Sequence, residues 1–274
     1  MPTTDRLVVD GIALRIFPGG DDSPVAVLWP AMGAPARFYT PFAEALRDAG
    51  LTVVVADLRG TGDSGPPPRR TDRYGYAELA DDVGAVLAAL KPRFGDRRMV
   101  LVGHSLGGQV ALLRAAVHPE STVDGIVLVA VGLPYWRAYP GLSQAVILGY
   151  TQAIGATSAL LRVWPGWTFG GRQARGVIRD WARTARTGRF PRLHGVDTEA
   201  AVRTLALPVL AISFDGDRYT PHATLDHLVA KLPAASVIRE RHRAVSADGR
   251  PVHFAWVRRP GALADRIAAY ARSL

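Results

Sequence analysis

The chain has 274 residues, 48% of them hydrophobic, and a formal net charge of +9 from 33 Lys and Arg against 24 Asp and Glu. This is enough apolar material for one large α/β domain or two small ones, and the absence of cysteine excludes disulfides, thiolate–metal sites and a cysteine nucleophile. The positive balance alone is compatible with nucleic acid, anionic lipid or an acidic substrate, but no zinc-finger spacing, RNA-recognition aromatic motif or basic low-complexity tail accompanies it, so nucleic acid is not an expected partner.

The opening Met-Pro-Thr-Thr-Asp-Arg lacks the basic region, apolar core and small-residue cleavage site of a secretory signal, and a cytoplasmic protein is the expectation. Val25 to Trp29 reads as a buried strand, followed by a Pro- and Gly-containing loop and a helix over Phe38 to Ala49, with Phe42, Ala45, Leu46 and Ala49 at helical spacing. Gly50 ends that helix, Thr52 to Ala56 is a β-branched strand, and Asp57-Leu58-Arg59-Gly60-Thr61-Gly62-Asp63-Ser64-Gly65 is loop chemistry. Tyr76 to Leu90 is a helix with Leu79, Val83, Val86, Leu87 and Leu90 on one side; Met99 to Val102 is an apolar strand, Leu106 to His118 a helix stopped by Pro119, and Gly125 to Val131 another strand. Strands alternating with helices predict parallel βαβ units in a doubly wound, mostly parallel α/β sheet.

The alternation stops from Leu133 to about Leu205, a stretch with Trp136, Trp164, Trp167, Trp181, several Gly and Pro breaks and two helical patterns without a clear strand between them. It reads as an inserted helical cap, residues 133–205, over a core made of residues 1–132 and 206–274. Within it Leu142 to Leu161 is uncharged but interrupted by Ser143, Gln144, Thr151, Gln152, Thr157 and Ser158, which makes a poor bilayer span and a better lid; no stable membrane insertion is expected. Arg172, Arg175, Arg179, Arg183 and Arg186 recur every three or four residues, predicting one basic helical stripe with Ala174, Ile178, Trp181 and Ala185 opposite. Such a stripe is either a solvated face or a basic rim for an anionic substrate, a carrier-bound acyl group or an anionic membrane. Alternation resumes with a strand at Val209 to Phe214, a helix near Pro221 to Lys231, a strand around Ser236 to Arg241 and a last helix from about Gly261 to Arg272.

Gly103-His104-Ser105-Leu106-Gly107-Gly108 matches G-x-S-x-G between a buried strand and a helix, the context that motif requires. A sharp strand-to-helix turn lifts a hydroxyl above the sheet, flanking glycines remove the Cβ atoms that would collide, and the helix N-terminus favours developing negative charge. The bland alternative is a glycine-rich helix cap in which Ser105 satisfies a backbone donor. His104 is expected to point away from the serine's side of the turn.

These residues, the Asp57–Ser64 loop and the strand order resemble the α/β-hydrolase superfamily over nearly the whole chain apart from the cap. Pro30-Ala31-Met32-Gly33-Ala34-Pro35, Arg37-Phe38-Tyr39 and Val252-His253-Phe254-Ala255-Trp256-Val257-Arg258 further resemble a group of small bacterial serine hydrolases. The resemblance implies an α/β-hydrolase fold and a catalytic order of Ser, then Asp or Glu after a late strand, then His. Ser105 is the implied nucleophile. Two aspartates follow Val209–Phe214; Asp217, four residues before Pro221, resembles the family's acid, with Asp215 shaping the turn, while both as mere turn residues is the alternative. Of the four later histidines, His222 and His227 fall in a helix, leaving His253, whose following aromatic resembles the family's base, and His242, set in Arg239-Glu240-Arg241-His242-Arg243, where neighbouring cations oppose an imidazolium. His253 is preferred although Val252 stands where the family commonly has Gly.

Acyl transfer also needs an oxyanion hole. The resemblance makes Leu106 one backbone donor and, aligning Pro30-Ala31 with the family's His-Gly, Met32 the second; Ala31 is the alternative, since Pro30 has no N–H. The expected function is hydrolysis of an ester, thioester or amide of a small to medium, largely apolar acyl substrate through an acyl-enzyme. An acyltransferase uses the same parts, and a non-catalytic scaffold of the same fold is the other class. The histidines lack ligand spacing and the glycine motif lacks a phosphate-loop lysine, so no cofactor and no metal are expected. A small-molecule acyl substrate is the only partner implied, and oligomeric state is left open.

Overall fold

The computed structural model describes residues 5–120, 123–243 and 251–274. Ten strands and nine α-helices occur among them. In chain order they are β1 (Asp5–Val9), β2 (Ile12–Phe17), β3 (Val25–Trp29), α1 (Thr40–Asp48), β4 (Thr52–Ala56), α2 (Tyr76–Phe94), β5 (Met99–His104), α3 (Leu106–Val117) and β6 (Gly125–Val129). Then follow α4 (Ser143–Leu161), β7 (Val163–Trp164), β8 (Gln173–Ala174), α5 (Arg175–Thr187), α6 (Thr198–Thr204), β9 (Val209–Phe214), α7 (His222–Val229), β10 (Val237–His242), α8 (Val252–Ala255) and α9 (Ala262–Ser273). The chain has an α/β-hydrolase architecture: a mostly parallel eight-stranded sheet with helices on both faces.

The sheet order is β1-β2-β4-β3-β5-β6-β9-β10. β1 and β2 form an antiparallel hairpin and β2 joins β4 antiparallel, whereas every pair from β4 to β10 is parallel. The hairpin extends the sheet beyond the strands expected from the sequence. Its turn is Asp10-Gly11, both at positive φ (47° and 81°), the two-residue chemistry whose twist suits right-handed strands. Alternate residues of β3 serve opposite faces, as period-2 geometry requires. Val25, Val27 and Trp29 pack in the apolar cluster with α2 and α3, whereas Ala26 and Leu28 pack in the one with α1 and α9.

The order of strands decides where a site can form. After β3 the chain moves outward to β4, then returns to lay β5 on β3's other side, so succession reverses between β3 and β5. Ligands in open α/β sheets bind outside the carboxyl ends of strands at such a reversal. Here Trp29 at the end of β3 is in register with Gly103 near the end of β5, bringing the loop carrying Met32 beside Ser105.

Between β6 and β9, the cap expected at 133–205 contains α4, α5, α6 and a two-residue antiparallel pair, β7 with β8. None of these joins the large sheet. α4 packs against α5. One expectation is corrected here: the basic stripe has four arginines on α5, because Arg172 precedes the helix, separated from it by β8, and donates instead to the Pro68 carbonyl (2.6 Å).

The crossing of β5 with α3 is close. A Cβ on Gly103 would fall into the Gly108 backbone, one on Gly107 into the Trp29 and Pro30 carbonyls, and one on Gly108 into the Val131 side chain. Backbone cannot swing aside as a flexible side chain can. We therefore expect Gly103→Ala to destabilise the protein by about 3 kcal/mol, read as a lower urea midpoint at unchanged m-value. A midpoint equal to wild type would contradict this packing.

Candidate active site

Ser105 lies between the last residue of β5 and the first of α3, with φ 53° and ψ −119°. A non-glycine residue at such an angle costs about 1–3 kcal/mol and persists only where its surroundings over-determine it. Here the surroundings are the close glycine contacts of β5 with α3. The Ser105 carbonyl accepts from the N–H groups of Gly108 (3.1 Å) and Gln109 (3.2 Å), so the backbone turns directly into α3. The Ser105 side chain makes no capping bond to the helix, and the residue lines a cavity of about 170 Å³.

The turn after β9 places an acid behind one wall of the same cavity. Asp217 Oδ1 accepts from the N–H groups of Tyr219 (2.9 Å) and Thr220 (3.2 Å), and Oδ2 accepts from the Thr220 hydroxyl (2.7 Å). The other partner of Oδ2 is His253 Nδ1, at 2.8 Å. Both side chains are almost completely buried, and His253 lines the cavity with Ser105. Nδ1 faces the carboxylate, leaving Nε2 as the free ring position. Burial pushes the Asp217 carboxyl up, but its bonds with His253 and Thr220 outweigh that and hold it below the ordinary carboxylate range.

The alternatives sit elsewhere. Asp215 is half-exposed and pairs with His222 Nε2 (3.0 Å) and Arg243 (3.4 Å). His242 closes β10 and pairs with Glu240 (3.0 Å). Neither lines the cavity that holds Ser105, and their side-chain partners do not line it either, whereas Asp217 is bonded to His253, which does. Thr220 was not singled out from the sequence, although an Asp followed by a hydroxyl residue three positions on is a recognisable side-chain-to-backbone turn signal.

The loop after β3 is held by a second buried pair. The Tyr39 hydroxyl accepts from the Ala31 N–H (2.9 Å) and lies 2.7 Å from His104 Nδ1. The Ala31 amide is therefore occupied. The amides of Met32 and Leu106 enter no backbone bond among the described residues. His104 turns away from the cavity, as expected, but its ring packs against His253 with centroids 4.6 Å apart.

The remaining cavity wall is largely aromatic and aliphatic, including Met32, Ile147, Phe169, Trp181, Tyr219 and Phe254. Phe169 stacks on both Trp181 (5.1 Å) and Tyr219 (5.9 Å), so residues between β6 and β9 wall the cavity opposite the sheet. Among the described residues no three His, Cys, Asp or Glu side chains gather in a way that could hold a metal ion.

Burial, with a smaller contribution from His253, drives His104 well below its ordinary 6.5. An unfolded chain takes up a proton there that the native state refuses, so the native state is progressively disfavoured as pH falls below 6.5. Stability should fall by up to about 1.4 kcal/mol per pH unit from this group. His104→Gln should flatten the wild-type slope of unfolding free energy between neutral pH and moderate acid, measured by urea titration. An unchanged slope would show that His104 does not resist protonation.

With this geometry, comparison with known proteins is informative. Residues 23–240 match the model of the family Hydrolase_4, described as serine aminopeptidase, S33. RutD of Variovorax paradoxus (strain S110), whose name assigns it carbamate hydrolysis, is 38% identical over 111 residues, 40% of this chain and 39% of that protein. The AB hydrolase superfamily protein YisY of Bacillus subtilis (strain 168) is 34% identical over 92 residues, 34% of this chain and 32% of its own. These matches thus span well under half of each relative. Among solved structures, Est1E from Butyrivibrio proteoclasticus superposes with a TM-score of 0.64 at 12% identity, covering 99% of both chains. The thioesterase domain from the curacin biosynthetic pathway does so at 0.60 and 17%, again over 99% of both. At such identities the structures attest the fold alone. The family match extends over most of the chain, which has the α/β-hydrolase fold and belongs to the family described as serine aminopeptidase, S33.

Proposed function

We propose that the protein is a serine hydrolase that cleaves an ester, thioester or amide of a small to medium, largely apolar acyl group through an acyl-enzyme. The observation that carries this reading is His253, which lines one cavity with Ser105 on its strained turn and is bonded through Nδ1 to the buried Asp217. A serine hydroxyl is a weak nucleophile at neutral pH and needs a base held in one tautomer. Asp217, accepting at Nδ1, leaves Nε2 of His253 for the Ser105 proton.

In this mechanism Ser105 Oγ attacks the substrate carbonyl while His253 Nε2 takes its proton, and Asp217 stabilises the resulting imidazolium. The oxyanion is received by the N–H groups of Leu106 and Met32, with the α3 N-terminus adding a favourable field. Ala31 is excluded from that role because its N–H serves Tyr39. His253 then gives the proton to the leaving alcohol, thiol or amine. Water, deprotonated by His253, attacks the acyl carbonyl and releases the acid with Ser105 restored.

Residues 133–205 act as a cap. Ile147, Phe169 and Trp181 place apolar surface over the nucleophile, which suits an apolar acyl group and excludes bulk water. The family description and the RutD name differ in the bond they name but both imply hydrolysis at a carbonyl, and that shared step is the part carried to this chain.

Turnover of p-nitrophenyl acyl esters tests the assignment. Ser105→Ala should lower kcat by about 10⁴-fold or more, and Asp217→Asn by about 10⁴-fold through loss of the correct tautomer. Asp215→Asn should stay within about twofold of wild type, as expected of an exposed turn residue. Turnover surviving in Ser105→Ala, or equal losses in the two aspartate variants, would overturn these roles.

A further inference from the structure

Helix α4 is built the wrong way round for a helix on a water-soluble surface. Its 19 residues include no charged side chain, and the three fully buried positions are Thr151, Ile154 and Ser158, two of them hydroxyl residues. Apart from Ser143 at its first position, the exposed positions recur at helical spacing and are predominantly apolar: Val146 is 65% exposed, Leu160 83%, and Leu142, just before the helix, 89%. Ala145, Gly149, Ala153 and Ala156 fill the same face. Trp167, in the loop beyond β7, adds an indole that is 70% exposed. A normal surface helix turns its apolar stripe inward, and contiguous exposed apolar surface marks an interaction site.

The neighbouring helix supplies the sign of the partner. Arg175, Arg179, Arg183 and Arg186 of α5 line a groove of about 940 Å³ whose α4 wall includes Gly155 and Ala156, and Arg73 and Arg192 line it too. Its one carboxylate, Asp180, is already engaged by Arg179 (2.9 Å) and by the Tyr76 N–H (3.0 Å). The apolar strip is roughly 28 Å long at about 1.5 Å per residue and is flanked by a row of cations in which Arg179 pairs with Asp180, while Arg175, Arg183 and Arg186 outnumber the carboxylates of the groove. A second copy of the chain would bring the same cations against this row. An anionic surface instead neutralises them while the strip leaves water.

We propose that the exposed face of α4, with the arginine row of α5, docks on the surface of an anionic lipid bilayer. Apolar residues and Trp on one side with cations beside them are the physical signature of a helix lying in the plane of the interface, and each cation near an anionic leaflet adds to the attraction. The helix lies on the bilayer and does not cross it: among the described residues no helix is long and apolar enough to span. Ile147, Tyr150 and Thr151 of α4 line the cavity that holds Ser105, so the docked face and the cavity share a wall. The docking itself does not depend on the catalytic reading.

Flotation with vesicles of phosphatidylcholine alone, and of phosphatidylcholine with phosphatidylglycerol, tests this on the full chain. Wild type should float with the mixed vesicles and remain behind with phosphatidylcholine alone. Val146→Glu with Leu160→Glu, and separately Arg183→Glu with Arg186→Glu, should each cut the bound fraction about tenfold or more. All four positions are exposed and outside the cavity, so far-UV circular dichroism and soluble-ester turnover should match wild type. Failure of wild type to float with mixed vesicles would overturn the proposal. So would a wild-type dimer in sedimentation velocity that Val146→Glu with Leu160→Glu converts to monomer, because the face would then cover a second copy.

Discussion

The crossing of β5 into α3 happens at van der Waals limits on three sides, and the placement of the site follows from it. Gly103 meets Gly108, Gly107 meets the carbonyls at the end of β3, and Gly108 meets Val131. No side chain fits at those three positions, and the residue among them, Ser105, is driven to φ 53°. Local conformational strain of about 1–3 kcal/mol is offset by the packing of the fully buried β3, β5 and β6. The same approach sets the Met32 loop beside the first turn of α3, with two amides disengaged from the backbone ladder.

Two buried polar clusters then hold the groups around Ser105, in opposite electrostatic states. Asp217 is kept charged by four donors: two amides, a hydroxyl and the ring of His253. His104, with Tyr39 at one nitrogen, is kept neutral by burial. The two imidazoles are ring neighbours, and a neutral His104 spares His253 a like charge at the moment the proposed mechanism protonates it. Tyr39 joins the clusters to the backbone through Ala31. A buried polar group left unmatched costs more than a matched one contributes, so the four donors around Asp217 fix it in place.

How much of this was legible in the sequence differs from element to element. The central strands and α3 are readable because continuous apolar runs flanked by Gly or Pro have little alternative to burial. The G-x-S-x-G turn is readable because its glycines are steric requirements. β1 and β2 are hard to read although Asp10-Gly11 is a hairpin signal, since Asp5–Val9 is only half-buried and its alternation weak. Between Asp215 and Asp217, and between His242 and His253, the sequence offers spacing but no environment. Only the folded chain reveals that Asp215 turns outward to His222 and that His242 closes an edge strand. Tyr39 with His104, 65 residues apart, leaves no local trace. The exposed apolar face of α4 is hidden for a different reason: an uncharged helical pattern does not say which side faces water.

The central claim is that Ser105 is acylated with its oxyanion between two particular amides. A crystal structure of the protein inactivated by an alkyl fluorophosphonate tests it most directly. The account predicts phosphorus bonded to Ser105 Oγ, the phosphoryl oxygen within hydrogen-bond distance of the Leu106 and Met32 N–H groups, and the alkyl chain against Phe169 and Trp181. An adduct on another residue, or a phosphoryl oxygen directed away from both amides, would contradict it.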